Sequence, residues 1–175
     1  MPAPAERRSL ELLLVRHAPA RKRDPRRWPG DSRRPLSARG VRRFQRAAAG
    51  LERVTARPER VFSSPLLRAR QTAVILRTVA GWPAARVVAE LAPGRDPERL
   101  LRRLGDADAD RVAIVGHEPG LGQLLALCVA GAGGRARSEF RKGGVACVGF
   151  AGGMQPGSGQ LRWLLPPRLL RRLAR

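Results

Sequence analysis

Short apolar runs bounded by turn residues alternate with stretches of helical spacing along most of the chain. Leu10 to Val15 is apolar apart from Glu11, the pattern of a strand buried on both faces. Arg16-His17-Ala18-Pro19 ends it, and Arg21 to Pro35, rich in Arg, Pro, Gly and Asp, reads as a loop. Ser37 then offers an N-cap to a helix whose Val41, Phe44, Ala48 and Leu51 fall on one face. Arg60 to Ser63 is a second short strand. A helix follows Pro65 and runs to about Ala80, with Leu67, Val74 and Ile75 on one side. Arg86 to Leu91 reads as a third strand, and Asp96-Pro97-Glu98 opens a helix with a cap and Pro at the first helical position. Val112 to Val115, ended by Gly116, is the most strand-like segment. A Pro-Gly turn leads into an apolar helix from about Leu121 to Ala130, and the glycine-rich 131–134 is a loop. Val145 to Phe150 and Gln160 to Leu165 are expected to pair around AGGMQPGSG.

Strands alternating with helices predict an α/β fold, a three-layer α/β/α sandwich on a mostly parallel central sheet. The expected organisation is a flexible basic leader at 1–9, one domain over 10–165, and a basic tail at 166–175 that is docked or frayed. In sheets of this kind ligands bind beyond the carboxyl ends of the strands. Two strands end there in suggestive residues: Val15 runs into Arg16-His17, and Val115 into Gly116-His117.

His17 and His117 are the chain's two histidines. If their strands are parallel and close, both imidazoles sit at one edge of the sheet. Zinc fits such a pair badly, because protein zinc sites commonly use three or four protein ligands. No HxxxH spacing is present, nearby Glu118 and Glu11 form no acidic cluster, and arginines beside the histidines repel a cation. The constellation calls for an anion, and no metal or other cofactor is expected.

Charge adds to this picture but does not decide it. The formal net charge is +21, and every basic residue except Lys22 and Lys142 is arginine. Such a charge suits polyanions. However, Arg, Ala, Gly and Pro, which share GC-rich codons, dominate the composition, and the arginines are spread along the chain. Aromatic residues are 4% and Tyr is absent, whereas single-stranded nucleic-acid platforms stack bases on aromatic rings. No specific nucleic-acid partner is expected. The longest apolar stretch, Leu121 to Ala132, falls well short of the ~20 residues of a membrane-spanning helix. The N-terminus makes a poor secretory signal. Cys128 and Cys147 match neither a CxxC pair nor a zinc knuckle and read most simply as reduced core thiols. The expectation is a cytoplasmic protein without membrane attachment; its oligomeric state is open.

Three motifs carry a family resemblance over roughly residues 10–165. LLLVRHAPA resembles the Arg-His signature of the histidine phosphatase (phosphoglycerate mutase-like) superfamily, with Ala18 where the third position is usually Gly. FSSPLLRARQTA resembles the second motif, Ser-x-x-x-Arg-Ala-x-x-Thr, at Ser64, Arg68, Ala69 and Thr72, and VAIVGHEPGLGQLL the third, with His117. RPLSARG, ELAPG and the short chain are most similar to the small phosphohistidine phosphatases of the SixA type.

The resemblance implies a phosphoglycerate mutase-like fold and a phosphatase that forms a covalent phosphohistidine. Phosphate chemistry wants these residue types. Arginine's planar fork grips anionic oxygens and keeps its proton, and neutral imidazole attacks phosphorus and can hold the phosphoryl group. His17 is expected to attack, Arg16 and Arg68 to grip the equatorial oxygens, and His117 to donate to the same oxygens. The resemblance aligns Arg34 with a pocket-lining arginine; Arg33 is its substitute, and a solvated loop arginine is the plain alternative. It also places Glu90, at the end of the third strand, as the proton donor, with Glu118 in reserve; a capping or surface carboxylate is the other reading of Glu90. Ser63 and Ser64 read as loop hydrogen-bonders, since no GxSxG supports a serine nucleophile.

The leading expectation is therefore a metal-independent phosphatase acting on a phosphohistidine-bearing protein. The alternatives are hydrolysis of a small phosphomonoester, such as a sugar phosphate or nucleotide, and a phosphate or nucleic-acid binding module without turnover.

Overall fold

The computed structural model describes residues 9–134, 138 and 140–174. The expected leader falls almost wholly outside the described residues. The strands are β1 (Leu10–Arg16), β2 (Arg60–Ser63), β3 (Arg86–Val87), β4 (Arg111–Gly116), β5 (Val145–Phe150) and β6 (Gly159–Leu165). They form one sheet in the order β3-β2-β4-β1-β5-β6. β1, β2, β3 and β4 run parallel, while β5 and β6 add antiparallel at one edge.

Alternation along the central strands divides the core. Leu12, Leu14, Val112 and Ile114 point to one face, where α3 (Pro97–Gly105) and α4 (Gly120–Ala130) cover them. Leu13, Val15, Ala113 and Val115 point to the other, under α1 (Ala38–Leu51), α2 (Leu67–Ala80) and α5 (Pro167–Leu173). This is a three-layer sandwich on a mostly parallel sheet.

Local chemistry sets the helix starts. Ser37 caps α1 by accepting from the Gly40 N–H at 3.0 Å, and Asp96 caps α3 by accepting from the Glu98 N–H at 2.9 Å. Gly40 also lets α1 approach the loop after β1, since a Cβ there would lie 2.0 Å from the Pro19 carbonyl oxygen.

Two expectations need revision, and the docked alternative for the tail gains a structure. The third strand stops at Val87; Ala89–Leu91 is a 3-10 turn, so Glu90 lies in a turn and not at a strand end. In α2, Val74 is 58% exposed, whereas Ile75 of the expected face is buried together with Ala69, Ala73, Leu76 and Ala80. The basic segment after residue 166 folds as α5, with Leu170 fully buried. Gly50 makes room for it, because a Cβ there would lie 1.8 Å from the Leu170 carbonyl oxygen.

Candidate active site

β1 and β4 are adjacent, parallel and in register, with Arg16 opposite Gly116. The next residue on each strand is a histidine. The His17 N–H donates to the Gly116 carbonyl at 3.0 Å, and the two imidazole centroids stand 5.0 Å apart at a tilt of 52°. Both rings are 5% exposed. Segments a hundred residues apart thus converge at the carboxyl edge of the sheet, as the reading of the two strand ends requires.

The second motif arrives from β2 and α2. Arg68, on the first turn of α2, is 4% exposed and points its Nε at His17 Nε2 at 3.3 Å. Thr72, one turn later, accepts from the Ala18 N–H at 3.0 Å and donates to the Arg68 carbonyl at 2.7 Å. The spacing of this motif therefore serves two jobs: Arg68 reaches the ring and Thr72 pins the chain just beyond it.

Hydrogen bonds engage both rings. The Ala18 carbonyl lies 2.7 Å from His17 Nδ1 and takes the proton there, leaving the Nε2 lone pair toward Arg68. Ser64 Oγ accepts from the Leu66 N–H at 3.3 Å and lies 2.8 Å from His117 Nε2. The other ring nitrogen of His117 is Nδ1. That Nδ1 is buried and has no hydrogen-bond partner among the described residues; the same holds for Nε of Arg16. Burial drives His17 down to about 4, against the pull of its Ala18 hydrogen bond and with the help of Arg68, Arg16 and Lys142. Burial, with the neighbouring charges of His17 and Arg68, drives His117 to about 3. Both rings are neutral at pH 7.

Arg16 is half-buried, and one of its terminal nitrogens donates to the Phe140 carbonyl. Glu118 accepts from the N–H groups of Phe140 and Gly122 at 3.0 Å each, so its carboxylate fastens backbone. Ser63 Oγ donates to the Ser64 carbonyl at 3.1 Å.

Arg34 joins the cluster indirectly. Its Nε donates to Asp31 Oδ1 at 2.7 Å, and a terminal nitrogen donates to the Arg21 carbonyl at 2.8 Å. Asp31 Oδ2 in turn lies 2.9 Å from Nη2 of Arg68, and Nη1 of the same guanidinium donates to the Asp31 carbonyl at 2.9 Å. The Arg34 hydrogen bond, followed by the Arg68 and Arg34 charges, holds the Asp31 carboxyl below its usual range. Asp31 is the site residue that sequence reading missed. Its one signal was being one of two acids in a basic loop.

Glu90 stands apart. It lines a small cavity with His117 and Leu121, but its carboxylate accepts from Arg103 at 3.1 Å and lies 3.9 Å from Arg99. Its own backbone N–H, then these arginines, lower its pKa. A carboxyl held ionised by its neighbours does not favour the part of general acid, the role expected of Glu90. Among the described residues no three His, Cys, Asp or Glu side chains gather to hold a metal ion.

Known proteins resemble this chain in sequence and in fold. Residues 12–92 match the histidine phosphatase superfamily (branch 1). An uncharacterized protein of Picosynechococcus sp. is 35% identical over 117 residues, which are 65% of this chain and 70% of that one. The structure of the protein histidine phosphatase SixA complexed with tungstate superposes with a TM-score of 0.79 at 27% identity, covering 92% of this chain and 99% of that one. A proposed phosphohistidine phosphatase SixA from Nakamurella multipartitia gives 0.73 at 25% identity, covering 91% and 96%. The chain belongs to branch 1 of the histidine phosphatase superfamily and is a phosphatase.

Proposed function

We propose that the protein removes the phosphoryl group from phosphohistidine on another protein, without a metal ion, through a phosphohistidine of its own at His17. The observation that carries the reading is the state of His17: a neutral ring, its Nδ1 proton fixed on Ala18, its Nε2 lone pair beside Arg68. Similarity to the SixA protein histidine phosphatase supports the choice of substrate. The charges of Arg68 and Arg16 beside both rings, which repel a cation, support metal independence.

In the first step His17 Nε2 forms a bond to phosphorus while the phosphorus–nitrogen bond of the substrate breaks. A substrate imidazole protonated on its other nitrogen leaves as the neutral ring, so no protein acid is needed. Arg68 and Arg16 offset the charge on the equatorial oxygens, and the His117 Nδ1–H donates to them. Water then attacks the phosphoenzyme, releasing inorganic phosphate and restoring His17. We place the work in the cytoplasm, a reading supported by Cys128 and Cys147, both free and buried, with burial pushing their thiols up to about 12 and about 11.

Turnover of a phosphohistidine-bearing protein domain, compared with a panel of sugar phosphates, nucleotides and an aryl phosphate, tests this. The reading predicts the highest kcat/KM on the phosphohistidine protein, unchanged by chelator. A clear preference for a small ester contradicts the substrate, and loss of activity in chelator contradicts metal independence.

A further inference from the structure

A groove of about 380 Å³ runs between α1, α5 and the turn before β5. Arg43 reaches it from α1, Arg168 and Arg171 from α5, and Arg141 and Lys142 from the turn; among the described residues no carboxylate lines it. Its floor includes Phe44, which is 2% exposed. Burial, together with the charges of Arg43, Arg46 and Arg168, lowers the pKa of Arg171, so the local field is one-sided.

The groove borders the reaction centre. It is lined by Pro19, two residues beyond His17, and by Gly143, whose N–H donates to the carbonyls of both Arg16 and His17 at 3.1 Å. A protein whose phosphoryl group sits at His17 therefore has this rim within reach of its neighbouring surface.

We propose that the groove binds an acidic segment of the phosphorylated protein, several carboxylates at once, beside the phosphohistidine. The proposal rests on the protein-substrate reading above. The cations come from three separate elements along the groove, which suits a row of carboxylates better than one compact phosphate. Its aromatic residue is buried, so bases find no ring to stack on.

The test compares three proteins by fluorescence anisotropy with a labelled deca-glutamate peptide and with oligo-uridylate. They are the unaltered chain, Arg43→Glu/Arg168→Glu in the groove, and Arg77→Glu/Arg86→Glu on α2 and β3, outside it. Circular dichroism checks folding; if the groove variant does not fold, Arg43→Gln/Arg168→Gln replaces it. The groove variant should bind the peptide about tenfold or more weakly, while the equally charged control changes by less than about threefold. Equal losses in both variants, no loss in either, no binding by the unaltered chain, or groove dependence for oligo-uridylate alone would each overturn the proposal. A chain that hydrolyses small esters but no protein phosphohistidine contradicts the proposed function instead, and the peptide comparison still decides the groove.

Discussion

The Asp31 carboxylate lies 2.9 Å from Nη2 of Arg68, the guanidinium whose Nε faces His17 Nε2 at 3.3 Å. An acid on the loop before α1 thus occupies an arginine that the proposed mechanism assigns to phosphate oxygens. Asp31→Asn should tighten the binding of tungstate or phosphate about three- to tenfold, a modest gain because the carboxylate is partly exposed. Isothermal titration measures it. Weaker anion binding would show that Asp31 holds Arg68 in place and does not compete for it.

The histidines make stability depend on pH. Both native pKa values lie below 6.5, at about 4 and about 3. The unfolded chain therefore takes up protons as pH falls through 6.5 while the native chain does not. The stabilisation is fully present above 6.5 and is lost on acidification toward the native values. Each ring shifts the unfolding equilibrium by up to about tenfold per pH unit in that window. Urea midpoints should fall between pH 7 and 5, and the slope should flatten in His117→Gln. Equal midpoints at the two pH values would contradict the buried, neutral rings.

Thr72 should matter for stability as well as activity. It is fully buried and accepts from the Ala18 N–H. Thr72→Val keeps the shape but strands that donor, at a cost of about 1–3 kcal/mol. Thermal or urea unfolding would show the loss, and kcat should drop with it because the chain after His17 is no longer pinned. A variant as stable as the parent would contradict this role.

Glu90→Gln should leave kcat on phosphohistidine within about threefold, whereas removing a working general acid costs about a hundredfold or more. Steady-state kinetics decide between the two. A hundredfold loss would return Glu90 to the role first expected of it.

Much of the site was legible because the decisive residues sit at strand ends and in one helical turn. An apolar run ending in Arg16-His17 and another ending in Gly116-His117 need only adjacent parallel pairing to meet. Arg68 and Thr72 are spaced by a helical turn, so placing one places the other. Asp31 was not legible, because its bond to Arg68 depends on how the loop folds back, with Ala20 bridged to Leu36 and the Leu36 N–H on Gln71. Glu90 was misplaced because β3 pairs with β2 over only two residues before the chain turns. The burial of α5 was hidden for another reason: seven residues rich in arginine gain their place from Gly50 on α1, far away in sequence.

Isolating the phosphoenzyme tests the central claim most directly. The enzyme is mixed with a radiolabelled phosphohistidine protein, quenched in alkali within milliseconds and mapped by mass spectrometry. The account predicts one phosphoryl group on His17, stable to alkali and lost in acid. In His17→Ala it should be absent, with turnover down by about a thousandfold or more. A label on Ser63 or Ser64, or full activity in His17→Ala, would contradict the account.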